Sequence, residues 1–168
     1  ENNNDLWKKA IDKELKNVIV AFKLLEEDER PPVGSKEIPY HFVFDVKYDL
    51  TRKARCVAGG HRHKDVPAYA SYSSVVSRDS VRIIFMLAAL NDLKMKSADI
   101  GNAYLNAPNR EKVHVNCGKE LFGAEGNGKI AIIVRALYRL KSAGNSWRHP
   151  YSSYLRNDLG YTMSVADN

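Results

Sequence analysis

Residues 40–58, YHFVFDVKYDLTRKARCVA, predict a β-hairpin. In the first half, alternate positions are aromatic or β-branched, which is the period-two pattern of a half-buried strand: Phe42, Phe44 and Val46. The opposite face carries Val43, Asp45 and Lys47. Residues 49–52 can turn the chain, and Lys53–Ala58 is the predicted returning strand.

The residues before this hairpin predict a helix and a linker. Apolar side chains recur at helical spacing in residues 5–16, an amphipathic pattern: Trp7, Ala10, Ile11 and Leu15. The acidic run from Glu26, followed by Pro31, Pro32 and Gly34, marks a linker. We therefore divide the chain into an N-terminal arm and linker, residues 1–34, and a second unit, residues 35–168.

The residues after the hairpin add helices and short strands. Asp79 is a candidate N-cap for a helix running to about Lys96, and this helix is apolar on nearly all sides, as buried helices are. A short strand should end near Asp99. Tight turning is expected at 101–107, strands at 113–117 and 130–135, and a closing helix at 143–159. Such interleaving predicts an α+β fold with a sheet packed on helices.

Composition narrows the class of protein. The chain has 168 residues, 44% hydrophobic and 27% charged, which is typical of a globular domain. No stretch approaches the roughly 20 apolar residues of a membrane span. Two cysteines, Cys56 and Cys117, suit a reducing compartment. The first residues resemble neither a signal peptide nor a start with methionine, so we expect an intracellular, unsecreted piece of a longer protein.

Charge is unevenly distributed along the chain. Residues 1–30 hold eight acids and six bases, whereas residues 47–82 hold eight bases and three acids. Tyr48, Tyr69 and Tyr72 lie within that basic segment. Concentrated positive charge with interspersed aromatics is the expected footprint of a phosphate-rich partner. A solvated charged face is the equally weighted alternative.

The candidate chemistry centres on Ser97–Leu105, SADIGNAYL. Phosphoryl transfer with Mg²⁺ needs carboxylates that hold the ion against substrate phosphates. Asp99, placed before a glycine-containing turn, can present one such carboxylate. Taken alone, an aspartate at a strand end is more often a cap or turn residue.

Several segments in order carry a resemblance to one family. They are KARCVAGGH at 53–61, YSSVVSRDSVR at 72–82, DIGNAYLNAP at 99–108, and ALYRLKSAG at 136–144 with Trp147 beyond. This series resembles the fingers and the start of the palm of copia-type retrotransposon reverse transcriptases. The resemblance extends from about residue 5, through Trp7, Ala10 and Glu14, to the end of the chain. It implies a polymerase fingers/palm-like sheet that stops before the catalytic Asp-Asp strand.

The resemblance also implies roles for individual residues. Asp99 would be a catalytic metal ligand, with the carbonyl of Ile100 as a second oxygen ligand. Tyr104 would lie under the sugar and exclude a 2′-hydroxyl, or would simply be a core aromatic. Lys53 and Arg55 would contact the triphosphate or template, and which of them takes the triphosphate stays open. Lys141 would help to line the nucleotide pocket. The remaining basic residues would contact nucleic acid: Arg52, Arg62, Lys64 and Arg78.

Cofactors and partners follow from the same resemblance. A complete enzyme would hold two Mg²⁺ ions and bind an RNA template, a DNA primer and a deoxynucleoside triphosphate (dNTP). The chain would be part of a polyprotein with the remaining palm, a thumb and RNase H, in a cytoplasmic virus-like particle or the nucleus, without a membrane partner.

Three departures from the family pattern favour an inactive piece. No adjacent Asp-Asp pair occurs, Arg139 stands where the family has glycine, and Pro150 falls inside the predicted closing helix. Two alternatives remain. One is a non-catalytic nucleic-acid-binding remnant of a decayed element. The other is a zinc site, for which the spacing is poor: Cys56, His61 and His63 with His41, His114 or Cys117 as the fourth ligand.

Overall fold

The computed structural model describes residues 3–64 and 66–164, and its fold is mixed α+β, as predicted. Asp65, one of the three acids in the basic segment, lies outside the described residues, as do the first two and last four residues of the chain. The helices are α1 Asn3–Val18, α2 Ala68–Ser71, α3 Arg78–Leu90, α4 Lys119–Gly126 and α5 Ala143–Asn157. The strands are β1 Phe22–Leu24, β2 Lys36–Glu37, β3 Tyr40–Val46, β4 Arg52–Ala58, β5 Val113–Asn116 and β6 Ile130–Ile133.

The predicted hairpin is confirmed as the antiparallel pair β3–β4, in which Phe42 lies opposite Cys56 and Phe44 opposite Ala54. Its apolar face packs on α1, where the ring of Trp7 meets that of Phe44 edge to face, with centroids 5.2 Å apart. The predicted helix at 5–16 is thus part of α1, and its amphipathic face is covered by the hairpin.

The other strands form a second sheet in the order β1-β6-β5-β2. The predicted strands at 113–117 and 130–135 correspond to β5 and β6. The largest fully buried side chains come mainly from this sheet and the segment after it: Ile38, Val113, Val115, Ile133 and Leu137. The sequence analysis did not predict β1, β2 or α4. Strands as short as β1 and β2, with three and two residues, are too short to show a period-two pattern.

Helix α3 differs from its prediction in both bounds and burial. Its N-cap is Ser77, whose Oγ accepts a hydrogen bond from the Ser80 N–H at 3.0 Å, whereas Asp79 lies in the first turn. The helix ends at Leu90, not near Lys96. Its apolar side chains from Ile83 to Leu87 and that of Leu90 are exposed, and only Ala88 is buried. The prediction of a buried helix was wrong because no described element covers this surface.

The predicted strand before Asp99 is also absent from the described residues. Residues 93–100 are exposed and have no regular structure. A strand needs a neighbour that satisfies its backbone groups, and none of the described strands pairs with this segment.

The predicted closing helix is present as α5, with Pro150 inside it. Of the helices that the structure describes, none has the length and apolar character needed to cross a membrane.

Candidate functional site

One open cleft brings together residues from three separate segments. It has a volume of ≈ 590 Å³ and is lined by Lys53, residues 99–104, Tyr138 and Trp147. Four residues assigned from the sequence therefore share this cleft: Lys53, Asp99, Ile100 and Tyr104.

Lys53 reaches the cleft from β4. It pairs across the hairpin with Asp45, and Arg55 follows on the same face. The end of the strand is fastened to the segment that carries Tyr138, because the Ala58 N–H donates to the Tyr138 carbonyl at 2.9 Å. This backbone bond places the basic strand beside the aromatic wall of the cleft.

Tyr104 is held by a single 3₁₀ turn, Ala103–Asn106. Burial of the next residue, Leu105, anchors the turn, and the Ala107 N–H donates to the Tyr104 carbonyl at 2.9 Å. The Tyr104 ring lies 5.4 Å from the Tyr138 ring, centroid to centroid, and is tilted by 59°. The two rings together form one wall of the cleft.

Asp99 is exposed at the rim of the cleft. The turn that follows includes Asn102 in the left-handed conformation, with φ 51°, which asparagine tolerates better than most residues. Among the described residues, neither Asp99 nor Lys53 forms an ion pair. Both charges are therefore available to a ligand.

The pKa of the Tyr138 phenol is shifted by burial and by the charges near this wall. Burial raises the pKa of Tyr138 above its ordinary value, and the Glu14 carboxylate adds to the rise. The Arg55 guanidinium opposes the rise in this pKa, and Asp99 adds a smaller increase. Arg55 and Asp99 thus both act electrostatically on the cleft wall, although Arg55 is not a lining residue.

The other predicted contact residues are dispersed. Arg52 lines a second cavity beside α1, and Arg62 lines a third with Tyr40 and Glu120. Lys64 and Arg78 are exposed. Lys141 is half-buried and does not line the cleft.

Two aromatic residues that line the cleft received no role in the sequence analysis, Tyr138 and Trp147. Both belong to the segment that was matched at 136–147, so the signal was present. What the sequence lacked was the contact between Tyr138 and Tyr104, which is made across 34 residues of chain.

The oxygen donors at the cleft suit Mg²⁺ in kind but not in number. Asp99 is its only carboxylate among the described residues, and no described group of three or more His, Cys, Asp or Glu side chains could hold a metal ion. A two-metal site needs further carboxylates. The described residues therefore do not form such a site by themselves.

The zinc alternative also lacks a ligand cluster within residues 3–64 and 66–164. Burial raises the pKa of the Cys56 thiol to about 12, which opposes the thiolate that zinc requires. His63 Nδ1 lies 2.6 Å from Glu111 Oε2 in a buried pair, so this histidine already has a partner.

Arg139, which stands where the family has glycine, has a left-handed backbone conformation. Its φ is 68°, in the left-handed region where glycine is favoured. Its carbonyl also approaches Gly60 so closely that a Cβ at Gly60 would collide with it. The close approach of the Arg139 carbonyl therefore requires a residue without a side chain at position 60.

Comparison with known proteins settles the family. Residues 26–167 match the family model described as reverse transcriptase (RNA-dependent DNA polymerase). The chain belongs to this reverse transcriptase family. Its relatives include the Gag-Pol polyproteins of the transposons Ty1-DR4, Ty1-DR6 and TyH3 of Saccharomyces cerevisiae, each 30% identical over 149 residues, or 86% of this chain.

The resemblance to copia-type reverse transcriptases is therefore confirmed. This reverse transcriptase-family chain spans 8–9% of the length of those polyproteins. No solved structure matches it significantly.

Proposed function

We propose that this chain supplies the nucleotide-binding face of a retrotransposon RNA-directed DNA polymerase, comprising the fingers and the start of the palm. The observation that carries the proposal is the shared cleft of Lys53, Asp99 and Tyr104. A cation for phosphates, a carboxylate for a metal ion and a ring for the sugar are the three groups that dNTP binding needs.

Each residue takes a distinct part in this proposal. Lys53 contacts the triphosphate from the hairpin, and Arg55 adds positive charge behind the aromatic wall. The Tyr104 ring, supported by Tyr138, lies beneath the sugar, where it leaves no room for a 2′-hydroxyl. Asp99 and the Ile100 carbonyl are oxygen ligands for one edge of a metal site.

Reverse transcriptases generally use divalent metal ions, and in a complete enzyme such ions would bring the attacking and leaving oxygens into line. The described residues do not complete that site, so this chain is proposed to bind and not to catalyse by itself. Its partners would be an RNA template, a DNA primer and the rest of a Gag-Pol-type polyprotein.

Nuclear magnetic resonance of the ¹⁵N-labelled chain tests the nucleotide proposal. Titration with dTTP should shift the backbone amides of Lys53 and of residues 99–104. Lys53→Ala should weaken binding, whereas Lys119→Ala, which removes an exposed lysine on α4, should not. Shifts confined to other parts of the chain, or equal affinity of the Lys53→Ala variant, would contradict the proposal.

A non-catalytic nucleic-acid-binding remnant is the second candidate. It is favoured by the single carboxylate of the cleft and by Arg139 at a backbone position suited to glycine. Affinity for single-stranded RNA should then fall steeply with salt, because each neutralised phosphate contributes about 0.7 to the slope of log affinity against log salt.

The triple variant Lys53→Ala, Arg55→Ala, Arg62→Ala should flatten that slope. A matched control replaces three lysines outside the basic segment: Lys8, Lys112 and Lys119. RNA binding without dTTP-induced shifts would favour the remnant over the nucleotide site. Equal slopes for both triple variants would show that the basic segment does not bind RNA, which would contradict its part in both candidate functions.

A further inference from the structure

A second cavity, of ≈ 250 Å³, lies between α1 and the β3–β4 hairpin. Its wall on α1 carries Ala10, Lys13, Glu14 and Asn17, which share one helix face by their spacing. The hairpin closes the other side around its turn, through Lys47, Thr51, Arg52 and Lys53. We call this cavity the basic pocket, after Lys13, Lys47, Arg52 and Lys53.

The basic pocket is lined by four cations and by one carboxylate, that of Glu14, so cations outnumber acids around it. Glu14 Oε1 accepts a hydrogen bond from the buried Cys56 N–H at 2.9 Å. Among the residues that the structure describes, Lys13, Lys47 and Lys53 form no ion pair. Lys47 does act electrostatically on Asp49: hydrogen bonds to Thr51 lower the pKa of Asp49, and Lys47 adds a smaller decrease. Like charges gathered around one cavity repel each other, and a bound anion would relieve that repulsion.

The basic pocket also presents neutral hydrogen-bond donors. Asn17 and Asn102 both line it, and a side-chain amide can donate to a phosphate oxygen. Arg52 is held in place, because its Nη1 donates to the Leu50 carbonyl at 2.8 Å and its guanidinium lies 5.6 Å from the centroid of the Trp7 ring.

The basic pocket adjoins the nucleotide cleft. Lys53 and Asn102 line both cavities, so the two share a wall. Successive phosphates of one strand can therefore occupy the basic pocket and the rim of the cleft together. A single nucleotide bound in the cleft, in contrast, needs no contact with the basic pocket.

We propose that the basic pocket between α1 and the hairpin binds a phosphate group of the nucleic-acid backbone, with Lys13 and Lys47 as its main cationic contacts. This inference rests on the proposed function for its ligand class, but it assigns residues that the nucleotide site does not use. It makes α1 a nucleic-acid-binding element.

The test compares Lys13→Ala/Lys47→Ala with wild type in fluorescence anisotropy, using a labelled single-stranded oligonucleotide of about 16 nucleotides. The slope of log affinity against log salt should fall by about 0.7 to 1.4, equivalent to one or two phosphates. The control Lys8→Ala/Lys112→Ala removes two exposed lysines that line no cavity described above, one of them on α1. This control should keep the wild-type slope.

A second arm identifies the source of the phosphate. Binding of dTTP, followed by amide shifts in the cleft, should be unchanged in Lys13→Ala/Lys47→Ala. The charge-conserving variant Lys13→Arg/Lys47→Arg should retain the oligonucleotide slope, which guards against a folding artefact. An unchanged slope in the alanine variant overturns the inference while leaving the cleft proposal intact. Weakened dTTP binding with an unchanged slope would assign the pocket to the nucleotide and also overturn it. Absence of dTTP shifts in wild type would instead count against the proposed function.

Discussion

His63 and Glu111 form a buried pair, with Nδ1 of the imidazole 2.6 Å from Oε2 of the carboxylate. The other carboxylate oxygen of Glu111 accepts a hydrogen bond from the Ser142 N–H at 2.8 Å. Ser142 is the residue before α5, and His63 follows the hairpin by one short 3₁₀ turn. Glu111 therefore joins the basic strand to the helix that carries Trp147.

Replacing Glu111 should destabilise the fold strongly. Glu111→Ala leaves the buried imidazole and the Ser142 N–H without their acceptor, which should lower the free energy of unfolding by about 3 kcal/mol. Urea denaturation measures the change. The exposed Glu125→Ala on α4 is the control and should shift stability by less than about 0.5 kcal/mol. Similar values for the two variants would mean that the buried pair contributes little.

Arg139→Gly should stabilise the chain. A side chain at φ 68° costs roughly 1 kcal/mol relative to glycine, and the substitution removes that cost. Arg135→Gly is the matched control, because Arg135 does not have positive φ and glycine there should destabilise by about 0.5 to 1 kcal/mol. Opposite signs in thermal melts are expected. A loss of stability in both variants would show that the contact of the Arg139 guanidinium with His41 outweighs the backbone strain.

The Cys56 thiol should make stability depend on alkaline pH. Its pKa is about 12 in the folded chain and 9.0 when exposed, so the unfolded chain loses this proton first. The contribution of the buried thiol to the free energy of unfolding is complete below pH 9. It is lost as the pH rises toward the pKa of the thiol in the folded chain. The stability difference between wild type and Cys56→Ala should therefore change across pH 9, with wild type losing more. Parallel pH profiles of the two proteins would contradict a buried, protonated thiol.

The sequence predicted the parts of the fold that depend on local pattern. The alternation at Phe42, Phe44 and Val46 determines which face of the hairpin packs on α1, and the register confirms it. The family pattern has glycine at position 139, and the positive φ of Arg139 shows the backbone conformation for which glycine is suited.

The predictions that were wrong concern contacts between elements, which the local sequence pattern does not show. An apolar helix predicts burial, but the side chains of α3 from Ile83 to Leu87 are exposed because no described element lies over them. The strand before Asp99 failed for a related reason, since strand structure requires a paired neighbour. The ring contact between Tyr104 and Tyr138 was not predicted, because a contact between distant segments leaves no periodic pattern in the sequence.

The chain should not extend a primer. Its cleft supplies one carboxylate, and the sequence contains no adjacent Asp-Asp pair, whereas two-metal transfer needs several carboxylates. Primer extension on poly(rA) with Mg²⁺ or Mn²⁺ should give no incorporation above a sample without protein. Template-dependent synthesis by purified chain, lost on Asp99→Asn, would show that these residues suffice.

The cleft is proposed to be a nucleotide site in which Tyr104 contacts the sugar. A chimera that adds the remaining palm and thumb of an active relative permits the direct test. In it Asp99→Asn, which loses the metal-binding charge but keeps the shape, should abolish incorporation without loss of folding.

The deciding measurement is the ratio of deoxynucleotide to ribonucleotide incorporation by the Tyr104→Val chimera, taken beside a thermal melt. This ratio should fall well below that of the unmodified chimera, because removal of the ring opens space at the 2′ position. Loss of a packed ring alone would lower stability by about 1 to 4 kcal/mol without changing sugar choice. An unchanged ratio with a lowered melting temperature would contradict a sugar contact by Tyr104 and assign its ring to packing against Tyr138.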